Sequence, residues 1–127
     1  GIAAYARWRY PKHFPPEVTA RDIAQLASRG DDRAEEVLDT AAKYLGRGLA
    51  ILIDTLNPEM IVLGSLASRL GGRLLDPALE LAEKESEPLA WRACRIVPSA
   101  LGERLGDLAP VAAVLAREEY PVLQRDK

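Results

Sequence analysis

The sequence predicts an α/β fold with a few parallel strands and several helices, and three observations predict it. Leu56-Asn57-Pro58-Glu59 breaks a long apolar helical pattern, and Met60 to Leu63 follow as four consecutive apolar residues. Such a run is the signature of a strand buried on both faces. A second short strand is expected over Ala93-Cys94-Arg95-Ile96-Val97, ended by Pro98. Strand, helix and strand in this order imply a right-handed crossover between parallel strands. Two strands beside roughly five helices are lopsided for a complete domain, because sheets average about five or six strands. The remaining strands are expected upstream of Gly1 or on another chain. Gly1 opens directly on a helical pattern without a methionine, which reads the same way.

Ile2 to Tyr10 place Ile2, Tyr5, Ala6 and Arg9 on one helical stripe with Trp8 beside it, and Pro11 ends the piece. Pro15 and Pro16 make Lys12 to Val18 an irregular loop. His13 lies in that loop, and a lone loop histidine is read as solvated and without a role. Thr19 caps a second helix, with Asp22 at the capping-box position. Ile23, Leu26 and Ala27 are its buried face, and Arg29-Gly30 ends it.

Asp31-Asp32 cap a third helix and set negative charge at its positive end. Ala34, Val37, Leu38, Ala41 and Leu45 follow at helical spacing. Leu49 to Ile53 are apolar throughout, so that end is expected to be enclosed on most sides. Gly46 and Gly48 each cost about 1 kcal/mol relative to alanine in a helix, and close approach of a neighbouring backbone is a reason to tolerate them. Asp54 reads as a buried, satisfied polar group near the helix end rather than a catalytic base. Asn57-Pro58 stops the helix, since proline disfavours helical geometry in the residue before it.

Gly64 closes the first strand, and Ser65 can cap the next helix. A short helical turn is expected over Ser65 to Leu70, with Gly71-Gly72 as a hinge. Arg73 to Glu85 are expected to continue helically through Leu74, Leu75, Leu79 and Ala82, with a new helix starting near Asp76 and Pro77 in its first turn, then a loop over Ser86 to Trp91. Cys94 reads as an inert buried strand residue. A loop from Leu101 to Gly106 precedes a last helix capped by Asp107, and residues 119–127 read as a tail.

Composition excludes several classes. A net charge of −2 leaves no electrostatic footprint for nucleic acid or an acidic membrane. One cysteine excludes an internal disulfide and fits a reducing cytoplasm, and one histidine with one cysteine cannot build a zinc site of those ligands. No apolar run of membrane length occurs.

Taken in order, three stretches resemble the ROK family (repressor, open reading frame, kinase), over residues 1–118. They are Gly30-Asp31-Asp32-Arg33-Ala34 with Ala42-Lys43-Tyr44-Leu45-Gly46-Arg47-Gly48-Leu49-Ala50, then Leu56 to Gly64, then Pro98-Ser99-Ala100-Leu101-Gly102-Glu103. The resemblance implies part of an actin-like, ribonuclease H-like ATPase lobe, from the C-terminal portion of a sugar kinase using ATP with Mg²⁺. A sugar-responsive repressor body without kinase activity is the alternative it implies. It also implies an N-terminal part of the same protein as partner, a hexose or amino sugar as ligand of the whole, and a homodimer. The family's catalytic aspartate, sugar contacts and zinc motif lie upstream, so no catalytic or metal residue is assigned here.

The family's Gly-Gly after the strand approaches ATP; Gly64 holds the first position, and Ser65 replaces the second glycine. Gly64 and Ser65 are therefore the candidate nucleotide contacts, and a turn that needs glycine for geometry alone is the competing reading. Val111-Ala112-Ala113 likewise stands where the family often has Gly-Ala-Ala.

Overall fold

A computed structural model describes residues 1–64 and 70–100. The order is α1 (Ile2–Arg9), α2 (Ala20–Ser28), α3 (Asp32–Leu56), β1 (Met60–Leu63), α4 (Gly72–Glu85), α5 (Pro88–Ala93) and β2 (Arg95–Pro98). All but Leu70 of the turn expected over Ser65 to Leu70, the last loop and the Asp107-capped helix lie outside the described residues.

α1 turns Ala6 inward, with Ile2 and Tyr5 packed beside it, and leaves Trp8 75% exposed. The proline-rich loop after it is no mere connector. Its Phe14 and Val18 enter the core, and Phe14 meets the Tyr10 ring edge-on at 6.2 Å. α2 starts as expected: Thr19 accepts from the Asp22 amide, and the Asp22 carboxylate accepts from the Thr19 amide at 2.9 Å. Ile23 and Ala27 are buried, and Gly30 leaves the helix with φ +83°.

α3 is the axis of the helical layer. Asp31 caps it by accepting from the Ala34 amide, and after 25 helical residues Asn57 ends it in the left-handed conformation, φ 45°. Ala34, Val37, Leu38 and Ala42 join the core shared with α1, α2 and α4. Gly46 fulfils the close-approach expectation, because a Cβ there would lie 2.6 Å from the Ala78 carbonyl oxygen of α4. Gly48 does not, having nothing within 4 Å of that position. The enclosure expected over Leu49 to Ile53 fails too. Leu49, Ala50 and Ile53 are buried, whereas Ile51 is 65% and Leu52 44% exposed.

β1 and β2 pair in parallel, Met60 with Arg95 through Leu63 with Pro98. Burial of β1 on both faces is not found: Val62 is 57% exposed and Ile61 and Leu63 are half-buried. The run carries enough apolar surface for two covered faces, but among the described residues one other strand is its only sheet neighbour.

Two further corrections concern the return to β2. Arg73 to Glu85 are helical as expected, but as one helix, α4, that begins at Gly72 and runs through Pro77 without a new start near Asp76. Proline there removes one amide donor, and the buried face of Leu74, Ala78 and Ala82 against α3 outweighs that loss. Residues 88–93, expected in a loop, form α5, with Glu87 as N-cap and Pro88 in the first turn. Cys94 is the half-buried C-cap of α5 rather than a buried strand residue.

Candidate functional site

The site is built from the strand end. The ladder opens where the Arg95 amide donates to the Glu59 carbonyl at 2.9 Å, and it closes where the Ser99 amide donates to the Leu63 carbonyl at 2.7 Å. Gly64 follows at once, half-buried, at the carboxyl end of a parallel pair. That edge is where open α/β sheets take ligands. Ser65 and Val111 lie outside the described residues. Gly71, in the hinge expected from sequence, has φ +53° and caps α4 without a side-chain hydrogen bond.

Polar groups converge at two other places. His13 is not free in solvent: Nε2 lies 2.7 Å from Asp31 Oδ2, and Nδ1 lies 2.9 Å from Arg33. A guanidinium can only donate, so Nδ1 accepts and Nε2–H donates a hydrogen bond to the carboxylate. The pair ties the proline-rich loop to the start of α3. The capping bond from the Ala34 amide, more than His13, holds the Asp31 carboxyl below the usual carboxylate range. Nearby, Tyr10 donates to Glu36, which raises the phenol, and Arg9 pairs with Glu36 at 3.4 Å. No sequence pattern announced this cluster, because its partners lie 18 and 20 residues apart.

Asp54 is the second place. It is exposed, not buried as expected, but it is satisfied: Oδ1 accepts the Glu87 amide at 2.9 Å. Glu87 in turn accepts from the Leu89 and Ala90 amides. The acidic residue before Pro88 was the signal for that cap. Arg73 is engaged by Glu35 at 3.3 Å across α4 and α3. A cleft of about 370 Å³ lies between α3 and α4, lined by Asp39, Lys43, Pro77, Glu80, Leu81 and Lys84, away from Gly64 in the chain. Among the described residues no group of three His, Cys, Asp or Glu side chains could hold a metal ion, and no helix is long and apolar enough to cross a membrane.

The model of the ROK family matches residues 2–117. This chain belongs to the ROK family. It is 39% identical over 79 residues to a glucokinase from Halalkalibacterium halodurans, covering 62% of this chain and 23% of the relative. It is 29% identical over 100 residues to a xylose repressor from Caldicellulosiruptor bescii, covering 79% and 25%. The chain thus spans about a quarter of the length of these curated relatives. Its fold matches a crystal structure of a ROK family transcriptional regulator, a homologue of the Escherichia coli MLC protein, at TM-score 0.62 and 25% identity, over 76% of this chain and 26% of that one. It also matches a putative sugar kinase from Cytophaga hutchinsonii at TM-score 0.65 and 17% identity, over 90% and 40%. The helix-rich α/β arrangement, with two parallel strands among the described residues, is therefore a segment of a ROK fold. Kinases and repressors both stand among its relatives.

Proposed function

We propose that the chain is the C-terminal segment of a ROK-type sugar kinase whose complete form transfers the γ-phosphate of ATP to a hydroxyl of a hexose or amino sugar. The observation that carries this reading is the position of Gly64, a half-buried glycine at the carboxyl end of a parallel strand. A missing Cβ there lets the adenosine or a phosphate approach the backbone, and the Ser65 hydroxyl following in sequence is a hydrogen-bond donor for the same ligand. A glycine backbone open to close approach, followed by a hydroxyl, suits a nucleotide contact. Mg²⁺, when bound with ATP, offsets charge on the phosphates, and its protein ligands would come from the rest of the molecule. The base that takes the sugar proton is, by family resemblance, an upstream aspartate. The segment alone is then inactive. A cytoplasmic homodimer completes this reading.

A repressor body that keeps the sugar site and has given up catalysis is the second reading. The regulator structure at 25% identity supports it, and so does serine in place of the second family glycine.

The test is titration of Mg-ATP into the full-length protein, then a screen for ADP release over hexoses and N-acetylhexosamines. Sugar-dependent release is expected. Gly64→Val should then weaken nucleotide binding about tenfold or more, because a branched side chain meets the ligand. Absence of binding at millimolar ATP would overturn the kinase reading and leave sugar-dependent DNA binding to be measured.

A further inference from the structure

We propose that Asp54 is a positioning residue that fixes the register of β1 against β2, and with it the place where Gly64 is presented. A carboxylate in the last turns of α3 sits at the negative end of that helix, where it is unfavourable. The same carboxylate accepts the Glu87 amide at the positive end of α5, where it is favourable. The bond joins residues 33 apart in sequence, and β1 and α4 lie between them.

Both strands start close to this clamp along the chain. Glu59, five residues after Asp54, takes the first ladder bond from Arg95, and Arg95 follows α5 directly through Cys94. Glu87 is also the residue whose carboxylate holds the first amides of α5. Asp54 thus holds the cap that aims α5, and α5 delivers β2. Among the described residues the strands are short and half-exposed, with four paired residues each, so few side-chain contacts within this segment pin their register. A slip of one residue would turn every strand side chain to the opposite face and move Gly64 by about 3.3 Å.

The consequence for Gly64 rests on the nucleotide reading above; the register claim does not. The experiment compares Asp54→Ala and Asp54→Asn in the full-length protein, the asparagine retaining the acceptor oxygen. Amide exchange should accelerate about threefold or more at Glu87, Arg95 and Ser99 in D54A and stay near wild type in D54N. The KM for ATP should rise about threefold or more in D54A with the sugar KM unchanged. Acceleration at Glu87 alone would overturn the proposal and leave Asp54 a local cap. Accelerated exchange with an unchanged KM for ATP would overturn the link to Gly64. Should the full-length protein bind no nucleotide, the functional reading falls, and exchange at Arg95 and Ser99 still decides the register claim. Asp54→Ser takes the place of D54A if the alanine variant does not fold.

Discussion

Asp22 and Asp31 both carry carboxyls held below the usual range. Asp22 is lowered by the Thr19 hydroxyl and then its amide, and Asp31 by the Ala34 amide, with burial opposing the shift in each. A group whose folded-state value is depressed contributes stability above its unfolded value and loses it as pH falls through the folded one. Both caps should therefore weaken below about pH 4. In urea melts at about pH 6 and about pH 3, wild type should lose more stability than a D22N/D31N double variant. At neutral pH, Thr19→Ala should cost about 1 kcal/mol. These caps were legible in the sequence because their partners lie three residues apart. His13 was not, since its partners arrive from the start of a helix beyond α2. Residue type predicts local hydrogen bonding well and says little about a partner brought by tertiary packing.

Among the elements, the two glycines of α3 look alike in sequence and differ in space. Gly46→Ala would place a methyl 2.6 Å from the Ala78 carbonyl oxygen and 3.0 Å from the Leu81 Cβ, so α3 and α4 must move apart. The expected cost is about 1–3 kcal/mol. Gly48→Ala meets open space and should stabilise by up to about 1 kcal/mol through helix propensity. Paired thermal melts read both; equal shifts would contradict the assigned contact. Helix starts and stops at Thr19, Gly30, Asp31 and Asn57 were readable from capping and proline chemistry. α5 was missed because six residues give too little periodicity to register. Pro77 misled for a related reason: its local penalty is visible in sequence, while the packed face that offsets it is not.

At the scale of the whole chain, Ile51, Leu56, Met60, Val62 and Leu89 are all exposed apolar residues, from 42% at Met60 to 72% at Leu89. A surface of this kind favours association. The isolated 127-residue chain should show concentration-dependent self-association by sedimentation, and Ile51→Lys with Val62→Lys should reduce it. The sequence's account of β1 as doubly buried describes a fuller sheet than two strands provide, and the chain spans about a quarter of its curated relatives. The apolar pattern records what a strand needs, and the described residues supply part of it. α3 has one further property at this scale. Its 25 residues make a rod about 37 Å long, joined near one end to the His13 loop and near the other to the Asp54–Glu87 bond. Tilted about 5° around its middle, such a rod carries each end about 1.6 Å in opposite directions. Both attachments hang on the same helix, so any tilt of α3 would be felt at the proline-rich loop and at the Asp54–Glu87 bond together.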